Sequence, residues 1–176
     1  SLKNIRTRAG DQTIPVLVEH NTFGYYVPMT ASDNLIVSVP ANWETGETAG
    51  TGILLENVQL AFMTDNHLRE HDTGLKMTNT DSCLVQDTYL YKCRESGVTL
   101  LNAQKDRFES LNISQTAKTA LEVHNSQGVE FEHGNIQANQ SGVGTLVKNG
   151  RDTKFTDSWF WKSAGDGIAI EESSNI

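Results

Sequence analysis

Apolar and polar residues alternate in short runs along most of the chain, and one version of this pattern returns at a fixed interval. An apolar residue is followed five positions later by a second one in four places: Val85/Leu90, Phe108/Ile113, Phe131/Ile136 and Phe155/Phe160. The first members of these pairs recur at intervals of 23, 23 and 24 along the chain. An asparagine series has the same spacing: Asn79, Asn102, Asn125 and Asn149. Two independent series with one period identify a repeat protein.

Each repeat reads as a set of short strands. The runs alternate with period two, are rich in Val, Leu, Ile and Phe, and are broken by Gly, Asn, Ser and Asp. No window has the apolar stripe of a helix, and the dense leucine consensus of leucine-rich repeats is absent. We therefore expect a solenoid of parallel strands, with coils stacked about 4.8 Å apart. In such a stack the recurring apolar residues form inward columns. The asparagines mark a bend where their amides form a ladder and the backbone is left-handed.

The repeat carries a family resemblance. Thr73-Gly74-Leu75-x-Met77-x-Asn79 and Ser96-Gly97-Val98-x-Leu100-x-Asn102 are each followed by the apolar pair and a short polar turn. This pattern resembles the right-handed parallel β-helix of the pectate-lyase-like superfamily, most closely bacteriophage tailspike and capsule-depolymerase proteins, over roughly residues 51–176. The resemblance implies an all-β, right-handed parallel β-helix, a solenoid of about 23 residues per coil. Such proteins include lyases, hydrolases, epimerases and non-catalytic adhesins, and no catalytic signature of these enzymes matches residue by residue.

Residues 1–50 lack the repeat and are predicted to form an irregular N-terminal β cap or a small β domain, with the coils over residues 51–176. Three strands are expected there, at Thr13–Val18, Gly24–Val27 and Leu35–Val39, and the only three prolines of the chain lie within or after them. The chain begins without Met and ends inside a fresh coil, so we treat it as a fragment of a longer protein.

A longer interval between repeat features precedes Gly74. Ile53-x-Leu55-x4-Leu60 matches the core-strand pattern, and the interval from Leu60 to Gly74 is twice the interval from Leu90 to Gly97. We therefore expect an inserted loop at 62–72, with two histidines and several acids, that is either a solvated turn or a site of substrate contact.

Composition excludes several partners and cofactors. The net charge of −8 and the pI near 5.0 leave no basic stripe for nucleic acid. No apolar run is long enough to cross a membrane. Cys83 and Cys93 are expected to be free, partly buried thiols, and no third ligand lies at a useful spacing for a metal. No cofactor is expected.

Three glutamates and two cations are predicted on the outer face of one strand series. If Val85, Phe108 and their equivalents point inward, then Glu109, Glu130, Glu132, Arg107 and Lys154 point outward. Carboxylates about 5 Å apart suit a retaining glycosidase and those about 6.5–9.5 Å apart suit an inverting one. Glu109, Glu130 and Glu132 are therefore the candidate catalytic residues, with Arg107 and Lys154 holding an anionic sugar or assisting a lyase. A solvated ladder of alternating charge accounts for the same residues.

Aromatic side chains are predicted to face outward from the next strand series. Phe160 takes the inward place of Leu90, so Trp159 and Trp161 should share outward columns with Tyr89 and Tyr91. The amide residues Asn112, Asn135 and Gln137 should lie between them. Flat rings stack on sugar rings and amides bind hydroxyls, so these residues are candidates for substrate binding. A subunit contact is the alternative.

Three function classes follow. The first is a carbohydrate-active domain of a tailspike-like or secreted protein that binds and degrades a bacterial surface or capsular polysaccharide, as a glycoside hydrolase or polysaccharide lyase. The second is a non-catalytic glycan-binding or adhesin module. The third is the structural shaft of a spike, since the tailspikes that the chain resembles are homotrimers. The expected location is the virion or the extracellular space.

Overall fold

The computed structural model describes residues 50–138 and 142–176, together with the backbone of five short strands before residue 50. Those five strands are β1 (Leu2–Lys3), β2 (Arg6–Ala9), β3 (Val16–Glu19), β4 (Thr30–Ser32) and β5 (Leu35–Ser38). The next seven are β6 (Thr51–Glu56), β7 (Phe62–Thr64), β8 (His67–Arg69), β9 (Thr73–Thr78), β10 (Leu84–Gln86), β11 (Tyr89–Tyr91) and β12 (Ser96–Leu101). The last nine are β13 (Arg107–Glu109), β14 (Asn112–Thr116), β15 (Thr119–His124), β16 (Glu130–Glu132), β17 (Asn135–Ala138), β18 (Thr145–Lys148), β19 (Lys154–Thr156), β20 (Trp159–Trp161) and β21 (Ile168–Glu171).

These strands form three parallel sheets of seven strands each, and successive coils contribute one strand to every sheet. Sheet 1 has the order β1-β4-β7-β10-β13-β16-β19, sheet 2 the order β2-β5-β8-β11-β14-β17-β20 and sheet 3 the order β3-β6-β9-β12-β15-β18-β21. The register equals the sequence period, since Val85 pairs with Phe108, Phe108 with Phe131 and Phe131 with Phe155. The predicted all-β parallel solenoid of about 23 residues per coil is confirmed.

The core consists of apolar columns that run along the solenoid axis. Phe108 and Phe131 are fully buried, and their rings stack with centroids 4.8 Å apart. Phe155 continues the stack 5.0 Å from Phe131 and is half-buried. The ring spacing matches the distance between parallel strands, about 4.8 Å, so each coil covers an apolar surface that the coil before it leaves open.

Residues with left-handed backbone mark the corners of each coil. Asn79, Asn102, Asn125 and Asn149 have φ between 50° and 55°, as the sequence predicts. Amide nitrogen donates to amide oxygen from Asn102 to Asn79 at 2.9 Å and from Asn149 to Asn125 at 3.0 Å. Three further corners per coil are also left-handed, as at Ser82, Asp87 and Lys92. The side-chain ladder satisfies polar groups at a bend that would otherwise depend on water.

The strands before residue 50 pair in parallel with the coils that follow. Leu35 is in register with His67, Thr30 with Phe62 and Val16 with Ile53. Of the three strands expected here, Gly24–Val27 lies outside the described residues, while β3 and β5 overlap the other two. The boundary at residue 50 between a cap and the coils stays a prediction.

The prediction of an inserted loop at residues 62–72 is wrong. This stretch contains β7 and β8, and Met63 and Leu68 occupy the buried columns of Val85 and Leu90. The error arose because the strands of sheet 3 also have apolar residues two positions apart, as at Ile53 and Leu55. Ile53 belongs to sheet 3, where it pairs with Leu75, and not to the sheet that contains Val85. Leu60 is a corner residue that is 47% exposed.

Both cysteines are free and fully buried, whereas the sequence indicated partial burial. Burial raises the pKa of both thiols to about 12, so neither is a thiolate at neutral pH. Cys83 shares a column with Asp106, Val129 and Thr153, all of them buried.

Candidate functional site

The outer face of sheet 2 carries the predicted aromatic residues. Register pairs connect Tyr89 to Asn112, Asn112 to Asn135 and Asn135 to Trp159, so these side chains form one outward column. Tyr91 and Trp161 belong to a second column, which a shift in register interrupts at β14. Two aromatic pairs therefore stand on this face, three strand spacings apart, with polar residues between them.

The indoles of Trp159 and Trp161 line a groove of about 490 Å³ at the corner between sheets 1 and 2. Trp159 is 75% exposed and Trp161 is 41% exposed. The indole nitrogen of Trp161 donates to Oδ1 of Asn135 at 2.5 Å, which fixes the orientation of the ring. The remaining walls come from His133, Gly134 and Asp157.

Polar and charged groups surround the groove. His133 Nε2 lies 3.9 Å from Asp157 Oδ2, and both side chains are more than half exposed. Lys162 places its ammonium 4.5 Å from the centroid of the Trp161 ring. The sequence pattern indicated an ordinary surface residue at His133 and did not single out Asp157 or Lys162. All three are corner residues with left-handed backbone, and it is the corner that brings them to the indoles.

The second aromatic pair has a different environment. The rings of Tyr89 and Tyr91 are 6.0 Å apart and nearly parallel, at 15°. His67, one coil before, lies 5.8 Å from Tyr89. Arg69 and Lys92, which the sequence pattern did not single out, place their cations 5.3 and 5.4 Å from the centre of the Tyr91 ring.

Two of the three candidate catalytic glutamates share one guanidinium on sheet 1. Nη2 of Arg107 lies 2.9 Å from Glu109 and 2.8 Å from Glu132. The hydrogen bond from Arg107 lowers the pKa of Glu132, which favours the carboxylate over the protonated acid. Gln86 donates a further hydrogen bond to Glu109. A general acid needs a raised pKa, and this arrangement does the opposite at Glu132.

The remaining predicted residues divide between the two sheets. Glu130 lies on β16 between Arg107 and Lys154 in register, so the outward column alternates in charge. Asn112 lies on β14 between Tyr89 and Asn135. Gln137 was predicted to face outward, and this prediction is wrong because the residue is only 7% exposed. The structure brings Asn135, Trp159 and Trp161 together in the groove, and none of the three glutamates is among the described residues that line it.

A comparison with protein families decides the family. The profile of the right-handed beta helix region matches residues 27–176. The chain belongs to this family. No curated protein matches this beta helix.

A solved structure shares the fold. It is a candidate glycosyl hydrolase from Parabacteroides merdae, with a TM-score of 0.63 and 10% identity, and the match covers 90% of this chain and 78% of that chain. At this level of identity the likeness extends to the fold alone, so activity has to be argued from the residues described above.

The chemistry available on the beta helix is stacking, hydrogen bonding and charge. Within the described residues there is no helix with the length and apolarity to cross a bilayer. Across the same residues, no three side chains of His, Cys, Asp or Glu are grouped to hold a metal ion. What the face of sheet 2 does present is flat rings beside amides, which suits a ligand with both apolar faces and hydroxyl groups.

Proposed function

We propose that this beta helix binds a bacterial surface or capsular polysaccharide on the outer face of sheet 2, with the groove at Trp159 and Trp161 as the principal contact. The observation that carries the proposal is the exposure of two adjacent indoles beside a fixed amide. We extend it to a domain of a tailspike-like or secreted protein that acts in the virion or outside the cell, in keeping with the resemblance described above.

The exposure of the indoles is unfavourable in the absence of a ligand. Apolar surface contributes about 25 cal/mol per Å² when it is removed from water, and a tryptophan has a large apolar surface. Trp159 is 75% exposed although the inward neighbour Phe160 is half-buried against the core. A pyranose ring stacked on Trp159 would recover part of this energy, because the C–H face of the sugar is apolar.

The polar groups of the groove provide direction. Asn135 accepts from Trp161 through Oδ1, and its amide nitrogen has no hydrogen-bond partner among the described residues. That nitrogen is a donor for a sugar hydroxyl, and the carboxylate of Asp157 is an acceptor for another. Few polar groups placed beside apolar walls are typical of small-ligand sites.

We also propose that the domain cleaves the bound glycan, which requires catalytic carboxylates in addition to the binding groove. The carboxylates predicted to act are on sheet 1, where Arg107 bridges Glu109 and Glu132. Hydrolysis by this pair needs the glycan to displace Arg107 from one of them. Release of reducing ends is therefore the measurement that separates an enzyme from a binding module, and loss of that release in Glu109→Gln would assign the role.

The test of binding is a titration of the domain with immobilised bacterial capsular polysaccharides, with Trp159→Ala/Trp161→Ala as the variant. We expect affinity to fall by about thirtyfold or more, because truncated tryptophans dominate binding energy where they anchor a ligand. The fold should persist, since both side chains point away from the core.

The matched control is Leu60→Ala, which removes another exposed apolar side chain at a corner distant in register from the groove. The control should bind like the unmodified domain. Equal binding by the tryptophan variant would contradict the proposal. A trimer in solution that buries both indoles and binds no glycan would favour the structural shaft instead.

A further inference from the structure

The pair Tyr89 and Tyr91 differs from the tryptophan pair in the charge that surrounds it. Arg69 stands one coil before Tyr91 in the same column, and Lys92 follows Tyr91 at the corner. Both cations lie within 5.4 Å of the Tyr91 ring centre. His67 adds an imidazole ring beside Tyr89. Two fixed positive charges on a chain with a net charge of −8 are a local exception.

Neither cation is neutralised by a neighbour that the structure describes. The ion pairs of the described residues engage Arg94, Arg107, Lys118, Lys148 and Arg151, and they do not include Arg69 or Lys92. Glu70 occupies the corner one coil before Lys92 and forms no ion pair with it. Contact with an aromatic ring leaves the outer side of a guanidinium or an ammonium available to an anion.

The distance between the two aromatic pairs suits an extended glycan. From β11 to β20 there are three strand spacings, which is about 14 Å at about 4.8 Å each. A pyranose unit in an extended chain is roughly as long as one such spacing. Asn112 and Asn135 occupy the two intervening positions of the column. A glycan parallel to the solenoid axis would therefore reach both pairs.

We propose that Tyr89, Tyr91, Arg69 and Lys92 form a second glycan subsite that takes a sugar unit bearing a carboxylate, about three units along the chain from the unit in the tryptophan groove. The guanidinium of Arg69 offers two parallel donors to the carboxylate, Lys92 offers a point charge, and Tyr89 offers a ring for the sugar face. The tryptophan groove, which Asp157 lines, takes a sugar unit without a negative charge. This inference rests on the proposed polysaccharide binding.

The experiment compares four proteins on an acidic capsular polysaccharide and on the same polysaccharide after its carboxylates have been reduced to alcohols. The subsite variant is Arg69→Gln/Lys92→Gln. The matched control is Lys76→Gln/Lys105→Gln, which removes the same charge from sheet 3 and from a different corner. The third protein is the unmodified domain, and Trp159→Ala/Trp161→Ala is measured in parallel. Affinities are determined at low and at high salt.

We expect the subsite variant to lose about tenfold in affinity for the acidic polysaccharide and to lose most of its salt dependence. Reduction of the carboxylates should weaken the unmodified domain by a similar factor and leave the subsite variant unchanged. Binding that needs Trp159 and Trp161 but is the same in the subsite variant and the control would overturn the second subsite alone. Absence of binding by the unmodified domain to either form would overturn both proposals.

Discussion

Asp106 is a carboxylic acid enclosed in the core, and its environment comes from residues of the coil before it. The backbone N–H of Cys83 donates to Oδ1 at 2.8 Å and the hydroxyl of Thr80 donates to Oδ2 at 2.5 Å. Burial raises the pKa of Asp106 from 3.8 to about 6, although both hydrogen bonds favour the charged form. The raised pKa means that the folded state holds the proton more tightly than the unfolded chain does.

We expect Asp106→Asn to change how stability depends on pH. The protonated acid is the form that the fold tolerates best, so the contribution of Asp106 to stability should fall as pH rises from about 4 to about 6, by about 3 kcal/mol in all. An asparagine keeps both side-chain positions, since its oxygen accepts from Cys83 and its amide donates to Thr80. Urea unfolding at pH 4 and pH 7 should show that the free energy of unfolding of the variant, relative to that of the unmodified protein, is higher at pH 7 than at pH 4. A constant difference between the two would show that Asp106 does not titrate in this range.

The corners that follow β9, β12, β15 and β18 each hold an asparagine, which combines two effects in one residue. The asparagine side chain donates to its equivalent in the preceding coil, as Asn102 does to Asn79 at 2.9 Å. The same residue has φ of 55°, where a Cβ atom costs about 1–2 kcal/mol and asparagine is the usual exception to glycine. The other corners accept side chains as different as Leu60 and Lys92, so the run of asparagines is specific to this corner.

Two substitutions at Asn102 separate these effects. Asn102→Gly removes the ladder bond but suits the left-handed backbone, and it should lower stability by about 1 kcal/mol. Asn102→Ala removes the bond and adds backbone strain, so it should be less stable than the glycine variant by about a further 1 kcal/mol. Thermal or urea unfolding measures the order of the three proteins. An alanine variant as stable as the glycine variant would mean that left-handed strain contributes nothing here.

The stability of the whole molecule comes from contacts between neighbouring coils. Phe131 stacks on Phe108 in one direction and on Phe155 in the other, so a single ring connects three coils. In a solenoid each unit depends on the units beside it, and the damage from one substitution extends beyond its own coil.

Phe131→Asp should unfold the repeats. An unpaired charge in this column, with the loss of a buried ring, costs at least about 4 kcal/mol, which is much of the total of about 5–15 kcal/mol for a domain. Circular dichroism should show loss of the strand signal, and amide exchange should accelerate in β13 and β19 as well as in β16. Gln104→Asp, which adds the same charge at an exposed position, should remain folded. Accelerated exchange confined to β16 would show that the coils unfold independently.

The sequence by itself determined the period, the apolar columns and the outward position of the aromatic and amide residues of sheet 2, apart from Gln137. Backbone pleating has period two and parallel stacking repeats the register, so Trp159 and Trp161 had to face outward once Phe160 faced inward. The tertiary structure decided the register of residues 53–72, because two sheets begin with similar apolar spacing. It also decided that Arg107 bridges Glu109 and Glu132, and that His133 and Asp157 meet the indoles. Those contacts depend on side-chain conformation and on the angle of the corner, which a repeating pattern of apolar positions does not specify.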